Sequence, residues 1–206
     1  ADMTESLGVL PAQEVVATYK ACERLGGRRL PVLGLLGTLI DYEEFKSLEA
    51  LLPSVRRNLS KLAHSPHNTV VVCSGRDRAL VNQWIGDLPI WLVAENGLWI
   101  RPPPTADGAE WEMVRETEID TSWMASLKSV FRYFDERTPD TFTEEQEHTM
   151  TWHFQEAEDF AEVQAIALQE HLITVSANEP VEVSLDMKRV EVRPYGVSKG
   201  AAGATI

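Results

Sequence analysis

Three short apolar runs, separated by two stretches of helical periodicity, constrain this chain more than any other feature in it. The first, Leu30 to Leu39, reads as a buried strand running into a Gly37-Thr38 turn. Thr69 to Cys73 and Ile90 to Ala94 are the second and third, ending in Ser74-Gly75-Arg76 and Glu95-Asn96-Gly97. Between the first two, Leu48, Leu51, Leu52, Val55, Leu59 and Leu62 recur near every 3.6 residues, the stripe of a helix laid on a sheet. Between the second and third, a helix beginning at Asp77 turns Leu80, Val81, Trp84 and Ile85 inward. Strand, helix, strand, helix, strand at this spacing predicts a βαβαβ unit with a parallel sheet. Chemistry in such sheets gathers where strand ends meet loops. Acidic residues would be expected at the first strand end, yet it carries Gly34 and Leu36.

Around this unit the chain divides into four stretches. Residues 1–25 form a connector, with a helix from Pro11 to Arg24 that puts Val15, Val16 and Tyr19 on one face and stops at Gly26-Gly27. Residues 26–104 are the core. Arg101-Pro102-Pro103-Pro104 marks the best boundary. Residues 105–194 follow a different alternation, that of an α+β module. Its expected parts are a strand at Trp111 to Val114, a helix from Thr121 or Ser122 to Arg137, strands at Thr141 to Glu144 and Thr149 to Phe154, and a helix from Asp159 to His171. The first helix has Trp123, Leu127, Val130, Phe131 and Phe134 on its stripe; the second has Phe160, Val163, Ile166 and Ala167 inward. A hairpin of Val181 to Leu185 with Arg189 to Arg193, turning at Asp186-Met187, completes it. Residues 195–206 return to the core, where Ser198 can cap a helix that Ile206 leaves incomplete. A parallel sheet wants a further strand after that helix, so the expectation is a core truncated at its C-terminal end.

Composition excludes some classes of function. A net charge of −13 over 206 residues weighs against nucleic acid and anionic membrane as partners. There is no apolar run of the ~18 residues a membrane span needs, and the chain from Ala1 has no signal-peptide pattern. Cys22 and Cys73 are expected to be reduced, Cys73 as a small hydrophobe within a strand, which fits a cytoplasmic location. Asn58-Leu59-Ser60 matches a glycosylation acceptor by chance, within a helical pattern. The five histidines show no metal-ligand spacing, His64 and His67 flanking a proline turn, so no metal site is expected. No nucleophile elbow or Walker loop is present.

The motifs, taken in order, resemble the haloacid-dehalogenase phosphatase layout: a first strand closing on Gly37-Thr38-Leu39, a second closing on Ser74-Gly75-Arg76, an inserted module, then Val197-Ser198-Lys199-Gly200. More closely, the chain is similar to trehalose-6-phosphate phosphatases and to the degenerate phosphatase-like C-terminal domains of plant and algal class I trehalose-6-phosphate synthases. Carrying that resemblance are Ala94-Glu95-Asn96-Gly97-Leu98-Trp99, Tyr133-Phe134-Asp135-Glu136-Arg137-Thr138-Pro139, Trp152-His153-Phe154 and Val190-Glu191-Val192-Arg193-Pro194. It implies an α/β fold with a haloacid-dehalogenase-like, Rossmann-like parallel core and an inserted α+β cap.

The resemblance also implies roles. Active members carry D-x-D-G-T-L at the first strand end; one aspartate attacks phosphorus, the second is general acid and base, and both help place Mg²⁺. Gly37-Thr38-Leu39 sets the register, which puts Gly34 at the nucleophile position and Leu36 at the acid/base position. Loss of a nucleophile can cost on the order of 10⁶ in rate. Asp41, Glu43 and Glu44 follow beyond the turn, too far along the chain to substitute. No cofactor is therefore expected, Mg²⁺ only if the domain were active. Ser74, Arg76 and Lys199 are the phosphate-binding candidates, against the plainer readings that Ser74 caps the helix near Asp77 and that Lys199 is a solvated lysine. Glu144, Gln146 and Glu191 are the sugar-binding candidates. Gln146 stands where the family has lysine, and Glu191 could equally pair with Arg189 or Arg193 on its strand. His153 is read as structural.

The expected function is a catalytically inactive, regulatory or scaffolding part of a trehalose-6-phosphate synthase, whose parent chain would join UDP-glucose to glucose 6-phosphate. Its partners would be trehalose 6-phosphate or another sugar phosphate, and other protein chains or copies of itself. Two alternatives stay open: a structural subunit that reuses the fold, and an active Mg²⁺-dependent phosphatase.

Overall fold

The computed structural model describes residues 11–40, 48–104, 109–114, 119–157, 160–186 and 188–206. The connector residues 1–10, the acids Asp41, Glu43 and Glu44, Asp159 and the turn residue Met187 lie outside them.

A five-stranded sheet runs in the order β1 (Val32–Gly34), β2 (Val71–Cys73), β3 (Trp91–Ala94), β4 (Trp99–Arg101), β5 (Glu112–Met113). β1, β2 and β3 are parallel, and β4 and β5 continue antiparallel. Because sequential parallel strands are neighbours, the right-handed crossover rule sends both connecting helices, α2 (Leu48–Ala63) and α3 (Arg78–Ile85), to one face. The period-2 alternation of the strands divides the core accordingly. Val70, Val72, Leu92 and Ala94 pack with Val55 and Leu59 of α2 and Val81 and Ile85 of α3. Val71, Cys73, Val93 and Ile100 face the other way, onto Ala202 of the short helix α6 (Lys199–Gly203). Asp77 opens α3 by accepting the Leu80 N–H at 2.9 Å.

Three sequence expectations change here. The opening strand is short and lies at the edge of the sheet among the described residues, with Val32 half exposed, rather than buried on both faces. β4 was not anticipated, because a tight turn at 95–97 folds the chain straight back on β3. The strand at Trp111 to Val114 pairs with β4, so the Pro-rich boundary between 104 and 105 falls inside the first sheet. Proline here closes a β-connection; the two sheets part only after β5.

The second unit is an antiparallel sheet in the order β6 (Phe142–Glu145), β7 (Met150–His153), β9 (Arg189–Pro194), β8 (Val181–Asp186), covered by α4 (Ser122–Asp135) and α5 (Phe160–Val175). The α4 stripe forms as expected, with Trp123, Leu127, Phe131 and Phe134 buried against Trp152, Phe154 and Val192. α5 does not. Phe160, Val163, Ile166 and Ala167 are exposed, and the buried face is Ala161, Ala165, Leu168 and Leu172. This helix is apolar nearly all round, so hydrophobicity cannot choose its inner face. The small Ala161 and Ala165 decide it, letting the backbone approach the sheet closely.

The connector helix α1 (Ala12–Arg24) has no buried residue, and Val15 and Val16 are half exposed. It is tied to the core through polar groups. Arg29, itself buried, donates to Asn68 Oδ1, Ser65 Oγ and the Tyr19 carbonyl and lies over the Tyr19 ring. Both cysteines are free thiols, and burial pushes the Cys73 thiol up. Among the described residues, no helix is long and apolar enough to cross a membrane.

Candidate functional site

The parallel strands deliver their C-terminal ends to one edge of the first sheet, and the β6–β7 hairpin of the second sheet stands over that edge. The cleft between them is lined by Leu36, Ser74, Arg76, Glu144, Arg189 and Lys199, among others. Six of the eight residues that sequence reasoning singled out line it: Leu36, Ser74, Arg76, Glu144, Gln146 and Lys199. Gly34 sits at the last position of β1, paired with Cys73, and Glu191 lies just behind on β9.

At the first strand end the backbone turns within hydrogen bonds from the Leu39 N–H to the Gly34 carbonyl and from the Gly37 N–H to the Ile40 carbonyl. Leu35 is wholly buried in the core, which leaves Leu36 to face the cleft. A β-carbon at Gly34 would sit 3.1 Å from Thr38 Oγ1 and 3.4 Å from the Leu36 carbonyl oxygen. That is tight, but a side chain there would meet a movable hydroxyl first. The strand end therefore presents backbone and an isobutyl group where chemistry would need carboxylates. The described cleft residues include a single carboxylate, Glu144, already engaged by the Arg76 guanidinium, the His153 ring and the Gln146 amide. This donor set does not fit the Mg²⁺ that the family implies.

Ser74 is buried, and its Oγ accepts the Arg76 N–H at 3.0 Å. It does not cap α3; Asp77 does. Ser74 thus shapes its own Ser-Gly-Arg turn, leaving its hydroxyl hydrogen to point elsewhere. Arg76 reaches across to the hairpin and donates from Nη1 to both Glu144 oxygens, at 2.8 and 2.7 Å. His153 Nε2 lies 2.8 Å from Glu144 Oε2, its ring stacked on Phe142, and the Gln146 amide donates to Oε1 at 3.2 Å. Burial alone would raise the Glu144 pKa. The hydrogen bond with His153, the Arg76 charge and the Gln146 amide outweigh it and bring the carboxyl down to about 2. A phosphate-binding and a sugar-binding candidate therefore bind each other, which no sequence spacing could reveal. Gln146, in turn, accepts from Thr149 Oγ1 at 3.0 Å.

Lys199 follows Ser198, which caps α6 by accepting the Ala201 N–H at 3.1 Å. Burial, then the nearby Arg189 charge, push the Lys199 ammonium down. It is a partly desolvated cation beside Arg189, not the solvated lysine of the plainer reading. Glu191 is buried and accepts from Asn96 Nδ2 at 2.5 Å. Arg189 stands off at 4.0 Å, and Arg193 pairs instead with Glu182 across the β8–β9 ladder.

Residues 94–101 add what sequence reasoning missed. Glu95, Asn96 and Gly97 all have positive φ, at 46, 54 and 109°. The turn holds the site together: the Asn96 N–H donates to the Ser74 carbonyl, the Asn96 side chain lies against Gly75, and Gly97 meets the Ser198 backbone. A β-carbon on Gly97 would lie 2.1 Å from the Ser198 oxygen, so only glycine fits. Glu95 points away from the cleft, toward Glu147 and His148.

Comparison with known proteins agrees with this architecture. The trehalose-phosphatase family model matches residues 33–206. The UDP-forming alpha,alpha-trehalose-phosphate synthase 1 of Arabidopsis thaliana is 32% identical over 204 residues, covering 94% of this chain and 21% of the relative. A bifunctional trehalose-6-phosphate synthase/phosphatase of Thermoproteus tenax is 33% identical over 176 residues, 85% of this chain and 23% of that protein. The chain thus spans about a fifth to a quarter of the length of these relatives. Among solved structures, the C-terminal domain of Candida albicans trehalose-6-phosphate phosphatase superposes with a TM-score of 0.80 at 29% identity, covering 93% of this chain and 64% of that one.

Proposed function

The chain belongs to the trehalose-phosphatase family, and we propose that within it this domain is a pseudo-phosphatase that binds a sugar phosphate without hydrolysing it, as a regulatory part of a larger trehalose-phosphate synthase. The observation that carries this reading is the contrast within one cleft. The strand end has Gly34 and Leu36 where a nucleophile and a proton shuttle would be needed, while Ser74, Arg76, Arg189 and Lys199 line the same cleft, which supports reading it as an anion site. A phosphate entering there would compete with Glu144 for Arg76, and Glu144 would then be released to the sugar hydroxyls together with Gln146. Binding would exchange one partner for another, which suits a sensor. The likeness to synthases supports placing the domain within such a chain. The cytoplasm is the compartment proposed for it.

A second reading, a purely structural unit, is favoured by the same Arg76–Glu144 pair, which satisfies the cleft without a ligand. Thermal denaturation with trehalose 6-phosphate separates the two. Saturation at ~100 Kd should stabilise a sensor by about 2.7 kcal/mol. Absence of a shift with trehalose 6-phosphate, glucose 6-phosphate or phosphate would leave only the structural reading. Mg²⁺-dependent phosphate release from trehalose 6-phosphate should be undetectable; measurable release would overturn the pseudo-phosphatase reading.

A further inference from the structure

Behind the cleft, on the far side of the 95–97 turn, lies a cluster that the sugar-phosphate reading does not use. Glu95 is wholly buried, and neither carboxylate oxygen has a hydrogen-bond partner. His148, from the turn between β6 and β7, is 7% exposed; its Nδ1 is also unpartnered and lies 3.6 Å from Glu95 Oε2, too far for a hydrogen bond. Glu147 closes the group from the solvent side, and the three side chains offer ligand atoms within 4.8 Å of one another.

We propose that Glu95, Glu147 and His148 form a divalent-cation site, with Zn²⁺ as its preferred occupant, that joins the first sheet to the hairpin of the second. A carboxylate buried without a donor is unfavourable unless a cation faces it. One imidazole and two carboxylates form a mixed nitrogen and oxygen set, which suits Zn²⁺ better than the all-oxygen preference of Mg²⁺ or Ca²⁺. Zinc bonds of about 2.0–2.2 Å need donors little more than 3 Å apart, and the Glu95–His148 pair is already close to that spacing. The charged groups around it are Asp77, Glu95 and Glu147 against Arg78, an excess of negative charge. Arg78 donates to Glu147 Oε2 at 2.6 Å and lies over the Trp99 ring, so it occupies one Glu147 oxygen and leaves the other.

The test is Zn²⁺ binding by equilibrium dialysis to the metal-stripped full-length protein that carries this chain. It would be compared with Glu95→Gln, which keeps the side-chain shape, and His148→Ala, each checked for folding by circular dichroism. The expected result is one Zn²⁺ equivalent that both variants lose or bind at least ~10-fold more weakly. Zn²⁺ should also slow amide exchange at 95–97 and 146–149 in the unmodified protein only. Equal stoichiometry and affinity in all three proteins, or no Zn²⁺ bound by the unmodified one, would overturn the site. Neither readout involves a sugar phosphate, so this site and the sensor reading stand or fall separately.

Discussion

Replacing Glu144 by glutamine should uncouple the stability of this domain from pH in the acid range. The carboxylate accepts two hydrogen bonds from Arg76 and one from Gln146, and lies within bonding distance of His153 Nε2. Its pKa falls from the ordinary 4.5 to about 2. At about 1.4 kcal/mol per unit this corresponds to roughly 3 kcal/mol, or about 2–3 after allowing for the 21% of the side chain that remains exposed. A carboxyl whose folded pKa is depressed stabilises fully above its unfolded value, and that contribution is lost as pH falls through the folded one. The unmodified protein should therefore lose about 2–3 kcal/mol between pH 5 and pH 2 that Glu144→Gln has already lost at pH 7. Urea titrations at several pH values, followed by the fluorescence of the buried Trp123 and Trp152, measure both curves. Parallel stability profiles for the two proteins would refute the assignment of Glu144 as an ionised, fully engaged partner of Arg76.

Three further substitutions probe the packing. Leu168→Ala, on the buried face of α5, should cost about 2–5 kcal/mol, whereas Ile166→Ser on its outer face should stay within about 0.5 kcal/mol; the reverse order in thermal melts would restore the inward face expected from sequence. Gly97→Ala must relieve both a positive φ and a contact with the Ser198 backbone, so a loss of more than about 3 kcal/mol is expected in denaturant titrations, with faster amide exchange in α6. A loss below about 1 kcal/mol would show that the turn and α6 are not packed as described.

Sequence periodicity was informative wherever a pattern had one solution. The βαβαβ order follows from short apolar runs alternating with helical stripes, and the α4 stripe and the β8–β9 hairpin each place hydrophobic residues on one face. α5 has them on several, and there the wrong face looked right, because the deciding residues are the alanines that carry the least hydrophobic signal. The strand ends were legible because Gly37-Thr38-Leu39 and Ser74-Gly75-Arg76 are local motifs. Pairings across the cleft were not. Arg76 with Glu144, Asn96 with Glu191 and Glu95 with His148 each join distant parts of the chain, and their partners emerge only once both sheets are built. Even β4 hides behind a turn whose three successive positive φ values no residue preference announces at Glu95.

The apolar clusters stop short of one boundary. Those under the first sheet and the one inside the second share no residue, and the described contacts across the cleft include Arg76–Glu144, Arg78–Glu147, Asn96–Glu191, Glu95–His148 and the Trp99–His148 ring edge. A joint made this way does not open by exposing oily surface, so parting the two units carries little of the heat-capacity cost that dominates unfolding. What holds it is a mixture of ion pairs, a hydrogen bond and a ring edge: the exposed Arg78–Glu147 pair is screened over about 8 Å at physiological ionic strength, whereas Arg76–Glu144 and Asn96–Glu191 are largely buried and screened much less. Salt would then loosen the outer pair first and leave the buried contacts to hold the two units together, while each unit keeps its own core.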